Sequence, residues 1–166
     1  TVDSIVSERA LRELYLKPFE MAVKESGAES VMTTYGSVNG LWTSGSYDLN
    51  TTILRKQWGF EGIVMTDWWA FISEEGKEPD KTNFAAMARA QNDIYMVCSQ
   101  ADRNETGDNT LDSLEAGTLT LGELQRNAAN ICGFLMNTHA FERMNGEETV
   151  VRVEGAEETS MAEGQN

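Results

Sequence analysis

Asp67 stands at the end of the apolar run Gly62-Ile63-Val64-Met65-Thr66 and is followed directly by two tryptophans, Trp68 and Trp69. A run that is apolar on both faces reads as a buried strand. In parallel α/β folds, functional groups gather at the carboxyl ends of such strands, where loops meet solvent. A carboxylate in that place, flanked by indoles, suits carbohydrate: the aromatic face packs on the C–H face of a sugar while the carboxylate attacks or hydrogen-bonds. Position alone leaves a second reading open, in which Asp67 caps the next helix and the tryptophans belong to the core. Tyr35 holds the equivalent place after the preceding run, Ser30-Val31-Met32-Thr33-Thr34. Consecutive strands are often neighbours, so Tyr35 and Asp67 would face one cleft. The other reading of Tyr35 is a rim aromatic packed on its own loop.

The elements that must hold these residues alternate. Ser7 is a candidate N-cap for a helix over Glu8 to Leu16, Pro18 ends or kinks it and starts a second over Phe19 to Ser26, and Gly27 stops that one. The strand ending at Tyr35 is followed by a loop, Gly36 to Gly40. A helix over Leu49 to Trp58, capped from Asp48 or Asn50 and stopped by Gly59, leads to the strand before Asp67. Asn83 to Ala90 is helical, Asp93 to Val97 is a third strand, and Asp108 to Ala116 is a helix stopped by Gly117. Thr120 and Glu123 have capping-box spacing at the start of a last helix running to about Asn137. Parallel strands covered on both faces, in an α/β architecture, account for this order. Three strands are too few for an eight-stranded barrel, which takes roughly 250 residues, so the pattern fits part of such a barrel or a small α/β domain of another kind. Residues 1–140 form this α/β part. Residues 141–166 read as an acidic tail, or the start of a linker to a further domain, because acids and glycines replace the apolar pattern there.

Composition limits the partners. The chain has 166 residues and a net charge of −14, a surface that repels a phosphate backbone or an anionic membrane and leaves a neutral sugar unaffected. Cys98 and Cys132 are too few for a disulfide framework or a metal site and read as two reduced core thiols. Reduced thiols, with no apolar leader segment in Thr1 to Gly27, give a cytoplasmic expectation.

Several blocks of the sequence resemble one family. Ser7-Glu8-Arg9-Ala10-Leu11-Arg12-Glu13-Leu14-Tyr15-Leu16-Lys17-Pro18-Phe19-Glu20, then Val31 to Gly40, then Ile53-Leu54-Arg55-Lys56-Gln57-Trp58-Gly59-Phe60-Glu61-Gly62-Ile63-Val64-Met65-Thr66-Asp67-Trp68, then Leu114 to Leu124, are similar in order and wording to segments of family 3 glycoside hydrolases, the β-glucosidase family. The resemblance covers about residues 3 to 140. It implies the C-terminal part of a (β/α)8 TIM-type barrel, with its last three parallel strands. The activity it implies is hydrolysis of β-glucosidic bonds with retention, through a covalent glycosyl-enzyme on Asp67, without metal or organic cofactor. Trp68 would then line the aglycone side, Tyr35 would sit beneath the sugar, and Met32 would lie on the pocket wall, although by residue type alone Met32 is equally a strand-core side chain. Glu8 and Arg9, members of the first block, read as structural residues at a helix start suited to an ion pair.

There are departures from the family pattern. Gly36 stands where the family has Asn, so a loop hydrogen bond is missing or supplied elsewhere. Thr66 replaces Ser and keeps its hydroxyl. Trp69 replaces a small residue at the entrance, and the acidic loop Phe71 to Asp80 is longer. The family's Lys-His pair, its sugar-clamping Arg and Asp, and its acid/base have no matching segment in this chain, and His139 follows the last helix, where it reads as a capping or exposed residue. The expected partners are therefore a small carbohydrate together with the missing barrel segment and acid/base domain. The alternative is a sugar-binding or self-assembling barrel fragment without activity.

Overall fold

Short apolar runs separated by amphipathic stretches fold as strands and helices in turn. The computed structural model of the protein describes residues 2–147. In chain order the elements are β1 (Asp3–Ser4), α1 (Glu8–Ala10, continued by a π-helical Leu11–Tyr15), α2 (Lys17–Lys24), β2 (Ser30–Met32), β3 (Ser37–Val38), β4 (Leu41–Trp42), a π-helix over Asp48–Gln57, β5 (Ile63–Trp68), α3 (Phe84–Arg89), β6 (Ile94–Met96), α4 (Thr110–Glu115), α5 (Leu121–Met136) and α6 (His139–Met144). The chain divides into two compact units, one ending at Phe134 and one beginning at Leu135. In the second, α6 occupies part of the stretch expected to be tail, with His139 in its first turn; the rest of that expected tail, from residue 148, lies outside the described residues.

The first unit is an α/β structure with parallel strands, as expected. β2, β5 and β6 form one sheet in that order, all parallel, with Met32 opposite Met65 and Met65 opposite Ile94. Side chains alternate along each strand. Val31, Val64 and Tyr95 pack on the helical side: Val64 with Leu54 and Phe60, flanked by Val23, Val31 and Trp58, and Tyr95 with Ile72, Ala86 and Met87. A third cluster, Ala85, Ala88 and Leu119, joins α3 to the segment leading into α5.

The expectation that the strands are covered on both faces is corrected. The face opposite the helices carries Met32, which is 49% exposed, and the half-buried Met65, Ile94 and Met96. Three strands cannot close on themselves, so this face and the outer edge of β2 stay open.

At the amino ends of the strands a buried polar clamp sets their height. Arg55 reaches from the π-helix to Asp93 at 2.6 Å and donates to Gly62 O, while Asp93 also accepts Val64 N and Asn130 Nδ2, both at 2.8 Å. Burial pushes the Asp93 carboxyl up, against the Asn130, Val64 and Arg55 bonds, and pulls Arg55 down. Beside it Gly62 passes so close to the Glu29 backbone that a Cβ would overlap it, which explains a glycine at the entrance to β5.

Local expectations fare unevenly. The capping box holds: Glu123 N donates to Thr120 Oγ1 and Thr120 N to Glu123 Oε2. The helix after Tyr47 is capped by neither Asp48 nor Asn50; Ser46 Oγ accepts Leu49 N, and Asn50 is buried, donating to Thr43 O. It is also wound as a π-helix, closing with Trp58 N on Ile53 O. Glu8 and Arg9 do not pair with each other. Arg9 pairs with Glu13 and Glu8 with Arg12, one helical turn apart and exposed, worth about 0.3–0.5 kcal/mol each. Cys98 is half-buried and Cys132 is exposed, so the second is no core thiol; it lies on the outer face of α5.

Candidate active site

Asp67 lies near the carboxyl end of β5, the central strand of the parallel sheet. Val64 and Thr66 turn toward the helices and are fully buried, whereas Met65 and Asp67 alternate to the open face and keep partial exposure. Asp67 Oδ1 accepts Trp68 N at 2.6 Å. Among the described residues no cation forms an ion pair with this carboxylate. The helix that follows, α3, is capped by Asn83, whose side chain accepts Ala86 N. Trp68 and Trp69 are 42% and 56% exposed. The reading of Asp67 as a helix cap with core tryptophans therefore does not describe this site.

Trp69 takes a positive φ of 53°, a backbone region that bulky side chains rarely enter. It turns the chain sharply after β5, so that Ala70 and Ile72 go straight into the interior while both indoles stay at the surface.

Tyr35 follows β2, the neighbour of β5, and its ring is half exposed. It meets Trp42 edge-on, with centroids 6.0 Å apart, so it does pack on its own loop while offering its outer surface to the strand ends. Met32 lies one strand over from Met65 on the open face. Tyr35, Met32, Asp67 and Trp68 thus come from adjacent strands and from the carboxyl half of the sheet. His139 belongs to the second unit, where its Nδ1 lies 2.7 Å from Glu142 Oε2.

The support beside Tyr35 left almost no trace in the sequence. The segment expected to be plain loop from Gly36 to Gly40 continues into the β3–β4 hairpin, tied to β1. Asp3 Oδ1 accepts Ser37 Oγ and Gly40 N, and Asn39 exchanges two bonds with Val6. These bonds hold the loop that begins at Gly36. Trp42, 3% exposed, packs on Tyr35 on one side and on Phe71 on the other, 5.3 Å between centroids. The loop after β5 is bolted to the same hairpin: Ser73 Oγ accepts Trp42 N, and Ser44 Oγ donates to Phe71 O. Tyr95 OH donates to Ala70 O from below. An isolated tryptophan after a Gly-rich loop was the one available sequence signal for this buttress.

Within the loop, Ile72 and Asp80 form an antiparallel bridge and Glu74 joins Lys77 to Arg89 of α3. Lys77, ahead of Arg89, holds the Glu74 carboxyl below the ordinary glutamate range, and the Thr82 amide and hydroxyl do the same for Asp80. Glu74 is thus a structural tie. Among the described residues no group of acids, histidines and cysteines is placed to hold a metal ion.

Parallel strands with a carboxylate and aromatic side chains at their carboxyl ends are the setting in which the family match falls. The model of the glycosyl hydrolase family 3 N-terminal domain matches residues 2–133, and the chain belongs to that family. It is 63% identical over 152 residues to a β-glucosidase of Ruminococcus albus, covering 92% of this chain and 16% of that protein. Among solved structures it resembles a β-glucosidase from Paenibacillus barengoltzii, with a TM-score of 0.83, 58% identity and coverage of 91% of this chain and 16% of that one. It also resembles β-glucosidase 3B from Thermotoga neapolitana, solved in complex with α-D-glucose, with a TM-score of 0.71, 37% identity and coverage of 86% of this chain and 19% of that one. The chain therefore spans less than a fifth of the length of these relatives.

Proposed function

We propose that this chain is the nucleophile-bearing part of a longer retaining β-glucosidase, made of the last three strands of a (β/α)8 barrel. The observation that carries the reading is Asp67 itself, on the open face at the carboxyl end of the central parallel strand, without a competing cation among the described residues and next to Trp68, with Tyr35 following the neighbouring strand. In the reaction an Asp67 carboxylate oxygen attacks the anomeric carbon as the bond to the aglycone oxygen breaks. The aglycone leaves with a proton from an acid supplied by another segment. Water then cleaves the glycosyl ester with net retention. Trp68 borders the aglycone, Tyr35 the lower face of the sugar and Met32 the pocket wall. Retention needs a second carboxyl group about 5–5.5 Å from the first. Glu74, bound to Lys77 and Arg89, is unsuited to that role.

The test is mass spectrometry of the longer enzyme after reaction with an activated 2-deoxy-2-fluoroglucoside. The expected product carries the label on the peptide containing Asp67; a label on any other peptide sinks the assignment.

A second reading, self-association of the separate chain, is favoured by one observation. Among the described residues the outer edge of β2 is unpaired, and Phe19 and Met32 beside it are 53% and 49% exposed.

A further inference from the structure

The ladder between β5 and β6 is irregular where it matters most. Met65 pairs with Ile94 and Trp68 with Met96, so three steps along β5 span two along β6. The extra length falls on Thr66 and Asp67. A bulge of this kind bends a strand and re-aims a side chain, and the side chain it carries here is the Asp67 carboxylate.

What closes the bulge is a side chain. Thr66 is fully buried, and its Oγ1 accepts the Met96 amide at 2.8 Å. The carbonyl of the same Met96 accepts Trp69 N. Met96 is therefore held on both sides of Asp67, by the residue before it and by the second residue after it. On the other flank, Thr33 N and Oγ1 both donate to Met65 O, and Asn92 Nδ2 donates to Thr33 Oγ1 at 2.9 Å. A hydroxyl is the one polar group inside the otherwise apolar start of this strand, and the hydrogen bond explains its presence there.

We propose that Thr66 is a positioning residue: its hydroxyl, by taking the Met96 amide inside the β5–β6 bulge, fixes the direction in which Asp67 points. The proposal rests on the reading of Asp67 as nucleophile. Valine has the shape of threonine without the acceptor, alanine lacks both, and serine keeps the acceptor, so the three substitutions separate hydrogen bonding from packing.

The experiment uses the longer enzyme with Thr66→Ser, Thr66→Val and Thr66→Ala. It measures the rate constant for covalent labelling by the 2-deoxy-2-fluoroglucoside, per folded molecule, and the dissociation constant of the same reagent before bond formation. Thr66→Ser is expected to label within about threefold of the parent, and Thr66→Val and Thr66→Ala about 10- to 100-fold more slowly with the dissociation constant unchanged, as for a nucleophile displaced by a fraction of an ångström to an ångström. Should Thr66→Val not fold, Thr66→Ala with Thr66→Ser carries the comparison. Labelling of Asp67 at the parental rate in the Val or Ala variant overturns the positioning role and leaves the nucleophile intact. A Ser variant as slow as Val does the same. Parental label on a residue other than Asp67 overturns the nucleophile assignment and this inference with it.

Discussion

Asp93 and Arg55 form a buried ion pair at the amino ends of two strands. The Asp93 side chain has no exposed surface and that of Arg55 has 8%, and between them they bind Val64 N, Gly62 O and Asn130 at the amino ends of two strands. Taking away one partner leaves the other charge buried without compensation. Arg55→Met is therefore expected to destabilise the protein by about 3–5 kcal/mol in urea unfolding, and Arg55→Met combined with Asp93→Leu by clearly less. Equal losses in the single and double variants would mean that the bonds to Gly62 and Asn130, and not the charge pair, dominate. At the other end of the strand Asp67 has the opposite character: one bond to the adjacent amide, partial exposure and, among the described residues, no cation. With Asp67 as the proposed nucleophile, stability and chemistry would occupy opposite ends of β5, the division seen in parallel barrels.

The loop from Phe71 to Asp80 shows how an element can be tied by charge. Glu74 and Asp80 both have carboxyls held below their ordinary values, Glu74 chiefly by Lys77 and Asp80 by the Thr82 amide. A depressed folded value contributes stability above the unfolded value, and that stability is lost as pH falls through the folded one. Hydrogen exchange in residues 71–80 is accordingly expected to accelerate as pH drops from neutral to below the ordinary glutamate value of 4.5, after correction for intrinsic rates, with β5 less affected. Uniform acceleration across both segments would reject the local tie. The order of elements was legible in the sequence because it is written in short apolar runs, such as Ile63 to Thr66, and in punctuation such as Thr120 with Glu123. Neither the β3–β4 hairpin nor the bulge was. Two-residue strands leave no periodicity, the hairpin is knit by Asp3 and Asn39 over more than thirty positions, and a register irregularity exists only relative to the partner strand. The placement of Asp67, Tyr35 and Trp68 at strand ends was readable for the same reason that the strands were; Trp42, which packs on Tyr35, carried only its place after a Gly-rich loop as a signal.

As a whole molecule the chain presents an open sheet and a strong charge. The unpaired edge of β2 favours contact between copies, while a net charge of −14 opposes it. Sedimentation of the separate chain is expected to show species above 18.4 kDa that grow with salt as the repulsion is screened; a monomer at all ionic strengths rejects association. The same preparation is expected to hydrolyse an aryl β-glucoside no faster than its Asp67→Asn variant, because the proposed mechanism takes its proton from another segment; turnover above that control would overturn that proposal. Trp42 has a consequence of a different kind. It touches the loop after β2 through Tyr35 and the loop after β5 through Phe71, so neither can change shape without the other. In evolution or in engineering the two loops should move between relatives as one cassette, and a graft of residues 71–80 alone should arrive without its seat.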